Sequence, residues 1–266
     1  MKNKTWVWGY FLPEIPSETF FVKGKSYCSL ETAAKYLEVP NVIFMNSNHD
    51  INSLDAKHLD NFKDCKKVIC GLQHGNYAET ALKVSRISRK YKNIHGAVID
   101  DFLDFHGPSA KMTVDELKDV YKNLKSCNKN LKLYVVRYTW QNQSELIPYL
   151  KYFDAVNLWV WISTEHAWRS EYLPHLEQLK NITGKPVTQG LFLHNYGETW
   201  DISEEPVSMD MLQLQCKKVF PLLRDKALDG CVILQNGWFS HENHREQVVW
   251  LKNYMDWIAG TTTIRN

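Results

Sequence analysis

Short apolar runs alternate with amphipathic stretches along the whole chain, and turn-forming residues separate them. Apolar runs rich in β-branched and aromatic residues are typical of buried strands, whereas apolar positions three and four apart are typical of helices. The predicted strands are Thr5–Phe11, Asn41–Asn46, Lys67–Leu72, Gly96–Phe102, Lys132–Tyr138, Ala155–Trp161, Pro186–Phe192 and Gly230–Gln235. The predicted helices are Leu30–Leu37, Asp55–Phe62, Tyr77–Tyr91, Val114–Leu124, Ser144–Tyr152, His166–Leu179, Met209–Leu223 and Glu242–Ile258.

The regular alternation of strand and helix predicts right-handed βαβ units around a parallel sheet. Eight such units match a single (β/α)8 barrel, or TIM barrel, of the α/β class that spans residues 1–266. A doubly wound open sheet is the alternative. That fold usually has a glycine-rich phosphate loop after its first strand, and the segment Gly9-Tyr10-Phe11-Leu12-Pro13 lacks the required spacing.

Start signals support several of the predicted helices. Thr113 and Glu116 have the spacing of a capping box, in which each side chain bonds the other residue's backbone. Ser208 and Ser240 stand just before apolar periodic stretches and are predicted as N-cap residues.

Composition and charge narrow the function classes. Charged residues make up 23% of the chain and the formal net charge is +2, without a basic tract, so nucleic acid is not an expected partner. No apolar run approaches the roughly 20 residues that span a bilayer, so we expect a soluble chain without membrane insertion. The N-terminus enters a strand-like segment at once and contains no signal peptide, which leaves open a cytoplasmic chain or an exported chain whose leader was removed.

The cysteine content bears on metal binding, and the aromatic content bears on substrate binding. The six cysteines form no CxxC or Cys/His cluster, so we expect no structural zinc, no other tight metal site and no cofactor. Ten Trp, thirteen Tyr and eleven Phe make up 13% of the chain. Because indole and phenol rings combine an apolar face with a polar edge, they suit stacking on sugar rings as well as core packing.

The ends of the predicted strands differ from their bodies. The bodies contain Val, Ile, Leu and Ala, whereas almost every end is polar or aromatic. Active sites of such barrels lie at the C-terminal ends of the strands, so this combination favours a pocket that binds a carbohydrate substrate. The residues predicted to bind it are Trp8, Tyr10, Asn46, His74, Asp104, Arg137, Trp140, Asn157, Trp159, Trp161, Gln189, His194, Gln235 and Trp238.

The segment after the fourth predicted strand contains candidate catalytic residues. Asp100 and Asp101 end a buried apolar run, and Asp104 follows three residues later. Neighbouring carboxylates repel each other and are poorly solvated there, so at least one should have a raised pKa. A carboxylic acid that stays protonated near neutral pH serves as a general acid. A helix N-cap or a loop salt bridge is the alternative role for such a pair.

The run Ile99-Asp100-Asp101-Phe102 resembles the paired acids of substrate-assisted hexosaminidases, notably the O-GlcNAcase-like and hyaluronidase-like barrels. The resemblance covers this motif and the barrel plan, and it implies a glycoside hydrolase that acts on an N-acetylhexosamine. It implies that Asp100 orients the 2-acetamido group and that Asp101 is the general acid/base. A conventional two-carboxylate mechanism is the alternative, with Glu198 or Asp104 as nucleophile or base.

Two other function classes stay open. A metal-dependent barrel hydrolase or isomerase would use Asp100, Asp101, His74 and His194 as ligands, although the first strand lacks an HxH motif and HExxH is absent. A non-catalytic sugar-binding barrel would keep the aromatic and amide residues but has no need for the carboxylate pair. The absence of GxSxG disfavours a serine hydrolase.

Overall fold

The computed structural model describes residues 1–10, 28–45, 54, 56–103, 112–198 and 202–264. Each barrel strand begins within two residues of its predicted start. The strands are β1 (Thr5–Tyr10), β2 (Asn41–Met45), β3 (Lys67–Gly71), β4 (Ile94–Ile99), β5 (Lys132–Tyr138), β6 (Ala155–Trp159), β7 (Val187–Phe192), β8 (His194–Tyr196), β9 (Ile202–Pro206) and β10 (Gly230–Leu234). Of these, β8 and β9 form a separate antiparallel hairpin that the sequence pattern did not predict.

The other eight strands close into a parallel barrel. Their order around the ring is β1-β10-β7-β6-β5-β4-β3-β2, and β1 completes it by pairing with both β10 and β2. The prediction of a (β/α)8 barrel is therefore confirmed. Because all eight strands run in one direction, their C-terminal ends lie at the same rim. The end of β4 was predicted too late, since the strand stops at Ile99 and Asp100 belongs to a turn.

Helices follow most of the barrel strands. Within the described residues, none combines the length and apolarity that a membrane-spanning helix needs. Their bounds are α1 (Leu30–Leu37), α2 (Ala56–Leu59), α3 (Tyr77–Ile87), α4 (Val114–Lys125), α5 (Tyr172–Thr183), α6 (Met209–Arg224) and α7 (Arg245–Ile264). Shorter 3-10 or π-helical segments are Lys2–Lys4, Asp60–Phe62, Gln143–Tyr149, Ala167–Glu171, Asn236–Ser240 and Glu242–His244.

The capping predictions had mixed outcomes. Thr113 and Glu116 form the expected capping box at α4, and the Ser208 hydroxyl accepts a hydrogen bond from the Met211 N–H at α6. Ser240 was predicted wrongly, because its hydroxyl accepts from the Cys28 N–H and α7 begins only at Arg245. The predicted helix after β5 is a 3-10 helix, which contains Pro148, a residue that disfavours a longer α-helix.

Large aromatic side chains fill the inside of the barrel. Trp8 from β1 packs edge to face on Trp159 from β6, with 5.9 Å between ring centroids, and Trp159 packs on Phe192 from β7 at 5.1 Å. Space for Trp159 comes from Gly190, since a Cβ atom there would lie 1.9 Å from the indole ring. This layer is buried and closes the barrel beneath its C-terminal rim.

Replacing Gly190 by Ala is expected to destabilise the fold by about 1–3 kcal/mol, because the added methyl group overpacks the layer that Trp159 fills. Thermal unfolding measures the change as a lower Tm. Gly260→Ala is the matched control, since a Cβ atom at that helical position meets nothing within 4 Å. In a helix this change stabilises by roughly 0.5–1 kcal/mol. Equal Tm values for both variants would contradict the packing described for Gly190.

Candidate active site

The carboxylate pair lies in the turn that follows β4. Both Asp100 and Asp101 are half-buried, and Asp101 has a left-handed backbone with φ of 47°. In a regular strand adjacent side chains point to opposite faces, so the two carboxyl groups share one site only where the strand ends. The left-handed residue ends that alternation directly after β4. Asp and Asn tolerate this conformation better than most other residues.

Tyrosines from three parts of the rim face the pair. Tyr10 ends β1, Tyr77 begins α3 after β3, and Tyr138 ends β5. The pKa of each phenol is raised, first by burial and then by the charges of Asp100 and Asp101. The Tyr138 hydroxyl also donates a hydrogen bond to Asp101 Oδ1. All three phenols therefore lie within electrostatic range of the pair, and Tyr138 is in direct contact with it.

The two acids have different surroundings. Burial and then the charge of Asp101 raise the pKa of Asp100 from its usual value to about 8, against a smaller opposing effect from the Asp101 N–H. That N–H donates to Asp100 Oδ1 over 3.1 Å. Because Tyr138 donates to Asp101, it stabilises the ionised form of that residue. The arrangement favours one proton on Asp100 and one negative charge on Asp101 at neutral pH.

Aromatic rings surround the opening above the pair. Trp161 is half-buried and lies 5.9 Å from Tyr138 and 5.1 Å from Tyr196, measured between ring centroids. Trp140 is 48% exposed and stacks on the outer face of Tyr138, with 6.1 Å between centroids and 10° between planes. Of the five indoles predicted to bind substrate, Trp140 and Trp161 keep accessible surface, whereas Trp8, Trp159 and Trp238 are buried.

Asn236 fixes the position of Tyr10. Its side chain accepts from the Tyr10 N–H at 2.9 Å and donates to the Tyr10 carbonyl at 3.2 Å and to the Cys28 carbonyl at 2.8 Å. These contacts tie the end of β1 to the segment after β10, so the rim is rigid at this point.

The β7 and β10 side of the rim contains buried histidines. His194 Nδ1 lies 3.1 Å from His244 Nε2, and both imidazoles stack on Trp238 at centroid distances of 4.5 Å. Burial and then the neighbouring His194 and His241 lower the pKa of His244 to about 3, so it is neutral at ordinary pH. Gln235 Oε1 is buried without a partner among the described residues.

Several predicted binding residues lie away from the pair. Arg137 is fully buried, and its guanidinium donates to the Phe102 and Asn142 carbonyls at 3.0 Å each. It therefore holds the turn after β4 from outside the barrel. Gln189 neighbours the inward-facing Gly190 and donates to its carbonyl, so it faces the helix layer. Asn157 is buried deep in the barrel, where it accepts from Thr188 at 3.3 Å.

The Glu198 side chain lies at the start of α6. Its carboxylate accepts hydrogen bonds from the Ser208 hydroxyl and, at 3.0 Å, from the Ser208 N–H, where α6 begins. Its own N–H donates to Asn195 Oδ1 at 2.8 Å. These bonds engage both carboxylate oxygens and hold Glu198 at the start of α6.

Three remaining predictions concern the β2, β3 and β4 sectors of the rim. Asn46 and Asp104 lie outside the described residues. His74 is exposed and packs against Tyr77 with 5.6 Å between ring centroids. Among the residues with described side chains, no group of three or more His, Cys, Asp or Glu is arranged to hold a metal ion.

Tyr138 and Tyr196 lie at or just after the ends of predicted strands, but neither was among the residues predicted to bind the substrate. On β5 the predicted binding residue was Arg137, whose side chain contacts the Phe102 carbonyl, whereas that of Tyr138 contacts Asp101. Both faces of β5 are buried, so its sequence gives no polar-apolar alternation from which the inward face follows. The signal present was the repeat of Tyr134 and Tyr138 on one face, four residues apart.

Comparisons with known proteins identify the fold. No protein-family model matches the chain, and no curated protein matches its sequence. A structure from Bacteroides thetaiotaomicron VPI-5482, provisionally described as an alpha-L-fucosidase, is similar with a TM-score of 0.61 at 13% identity, over 95% of this chain and 93% of that one. A mutant tryptophan synthase alpha-subunit from Pyrococcus furiosus gives 0.58 at 10% identity, over 97% and 98%. A glycoside hydrolase family 18 N-acetylglucosaminidase from Paenibacillus barengoltzii gives 0.54 at 10% identity, over 94% and 99%. At these identities the similarity establishes a TIM barrel.

Proposed function

We propose that this protein is a glycoside hydrolase whose catalytic groups are Asp100 and Asp101. The observation that carries the proposal is the carboxylate pair itself, which lies at the C-terminal rim, with a raised pKa at Asp100 and a hydrogen bond from Tyr138 to Asp101. Glycosidases need one acid that is protonated and one carboxylate that is ionised at working pH. The aromatic opening above the pair provides surfaces on which sugar rings stack.

Asp100 is the proton donor in this proposal. Its raised pKa keeps it protonated near neutral pH, where it gives its proton to the glycosidic oxygen as the bond from that oxygen to the anomeric carbon breaks. The sequence resemblance gives the donor role to Asp101 instead. We prefer Asp100 because the Tyr138 hydrogen bond stabilises a negative charge on Asp101. The two assignments differ in the kinetics expected of the Asp100→Asn and Asp101→Asn variants.

Asp101 orients the nucleophile in the substrate-assisted form of the reaction. Its ionised carboxylate accepts the N–H of a 2-acetamido group, while the acetamido carbonyl oxygen attacks the anomeric carbon and closes a five-membered ring. Water then attacks the same carbon and opens the ring, and its proton passes to the Asp100 carboxylate. One water molecule is consumed and Asp100 regains its proton, so the cycle balances. The proposed substrate is therefore a glycoside of an N-acetylhexosamine.

The rim aromatics have separate roles in this proposal. Trp161 and Tyr196 form the wall beside the reacting sugar, and Gln235 Oε1, buried without a partner among the described residues, is available to accept a sugar hydroxyl. Trp140 stacks outside Tyr138 and is the most exposed of these rings, so it supports the leaving-group sugar.

Hydrolysis of paired nitrophenyl glycosides tests the proposal. We expect the N-acetylhexosaminide to be cleaved and the matching hexoside, which lacks the acetamido group, to be cleaved far more slowly. Fluorination of the acetamido methyl group weakens the internal nucleophile and should lower kcat progressively. Asp115→Asn is the control, because this carboxylate is 91% exposed on α4. Equal rates for hexoside and hexosaminide would overturn substrate assistance, and no hydrolysis of any glycoside by folded protein would overturn the glycosidase assignment.

A further inference from the structure

We propose that a cavity at the opposite, N-terminal end of the barrel binds a hydroxylated anion the size of a sugar phosphate. The cavity lies between the α3–β4 and α4–β5 connections and has a volume of about 530 Å³. Ile94, which begins β4, lines it, whereas Asp100 follows the other end of the same strand. The cavity is therefore distinct from the proposed catalytic site, and this inference does not depend on the proposed hydrolysis.

Its charge indicates an anionic ligand. Arg89 and Lys92 line the cavity, are exposed, and form no ion pair within the described part of the chain. His95, also in the lining, is half-buried, and its pKa is lowered by burial first and then by the positive charges of Lys67 and Lys132. The local potential is therefore positive without a compensating carboxylate on the cavity wall.

The two cations are not needed to cap the preceding helix. Basic residues often follow a helix because its last carbonyls lack partners. Here all four final carbonyls of α3 already accept hydrogen bonds from other groups. The Ser88 N–H donates to the Val84 carbonyl and the Ser88 hydroxyl to the Ser85 carbonyl. The Arg89 N–H donates to the Arg86 carbonyl, and the Lys90 and Tyr91 N–H groups both donate to the Ile87 carbonyl. The side chains of Arg89 and Lys92 thus stay available to a ligand.

Hydrogen bonds between the two connections hold the cavity open. The Cys127 N–H donates to Ser85 Oγ at 2.9 Å, and Asn128 Nδ2 donates to Ser88 Oγ at 3.2 Å. The Asn130 N–H donates to Asn128 Oδ1 at 3.1 Å, which shapes the loop before β5. A cavity with pre-formed walls loses little conformational freedom on binding.

The lining defines the ligand class. The cavity is in the size range of small-molecule sites, which is larger than an inorganic oxyanion requires. Arg89 matches a phosphate or sulfate group through its planar set of donors, and Lys92 adds a second charge. The side-chain amides of Asn128 and Asn130 suit the hydroxyl groups of a sugar. A phosphorylated or sulfated saccharide combines both chemical features.

Cys127 provides a reporter for the test, because it lines the cavity and is the exposed one among the six free cysteines. We expect glucose 6-phosphate to slow its alkylation by a neutral reagent, glucose to have no effect, and inorganic phosphate to act only at higher concentration. Isothermal titration calorimetry with the same three compounds measures binding directly.

The double variant Arg89→Gln/Lys92→Gln should bind glucose 6-phosphate at least about tenfold more weakly, because it loses the charge-assisted hydrogen bonds of both side chains. The control Lys118→Gln/Lys122→Gln removes the same charge from exposed positions of α4 and should bind as the wild type does. Unchanged affinity in the first variant, or equal affinity for glucose, would overturn the anion site. Equal affinity for inorganic phosphate would overturn the saccharide part of the proposal.

Discussion

Replacing Asp100 by Asn is expected to slow hydrolysis of a natural, poorly departing sugar by about 10²–10⁴-fold, because the leaving oxygen then receives no proton. A nitrophenol leaves without protonation, so the same variant should lose much less activity on a nitrophenyl glycoside. This dependence on the leaving group is the signature of a lost proton donor. Measuring kcat/KM for both substrates in the wild type and the variant gives the comparison.

Asp101→Asn should behave differently. It removes the charge that holds the internal nucleophile, so the loss should be similar for good and poor leaving groups. Asparagine tolerates the left-handed backbone at this position, so the variant should fold as the wild type does. Strong leaving-group dependence in Asp101→Asn, and not in Asp100→Asn, would move the donor role to Asp101. Near wild-type activity in both variants would make the pair structural.

Tyr138→Phe is expected to lower kcat about tenfold or more and to narrow the pH-rate profile from its acidic side. A hydrogen bond to a charged group contributes about 1.5–3 kcal/mol, and each 1.4 kcal/mol is a factor of ten in rate. In the wild type this hydrogen bond stabilises ionised Asp101. The pKa of Asp101 therefore rises when the bond is lost. The acidic limb of the profile should therefore move to higher pH.

The alkaline limb should stay in place in this variant. That limb follows deprotonation of Asp100, whose pKa is already raised, so activity is present below this pKa and is lost as the pH rises through it. Asp101 is ionised both before and after Asp100 loses its proton. Loss of the Tyr138 hydroxyl therefore affects the protonated and the ionised form of Asp100 alike. Tyr134→Phe is the control, since Tyr134 lies on the same strand and its hydroxyl makes no hydrogen bond within the described part of the chain. Identical profiles for Tyr138→Phe and wild type would contradict the proposed role.

The strand pattern determined the barrel without help from tertiary contacts. Eight apolar runs separated by helical stretches leave few topologies, because parallel neighbours need long right-handed connections. The same reasoning placed Asp100 and Asp101 at the C-terminal rim, since the position of a residue along a strand decides at which end of the barrel it lies. It also indicated a raised carboxyl pKa from adjacency and burial alone.

Which side of a strand faces the barrel interior was decided only by the tertiary structure. Arg137 and Tyr138 are neighbours at the end of β5 and both are buried, yet Tyr138 bonds Asp101 while Arg137 braces the turn from outside. Strands covered on both faces show no alternation of polar and apolar residues, so their phase cannot be read from sequence.

Contacts between distant segments could not be predicted from the sequence either. Glu198 binds Ser208 across the β8–β9 hairpin, and His194 pairs with His244 fifty residues away. The sequence by itself thus determined the fold and the rim at which Asp100 and Asp101 lie. Only the folded chain decided which side chains share that volume, because side-chain direction and pairing depend on how neighbouring strands pack.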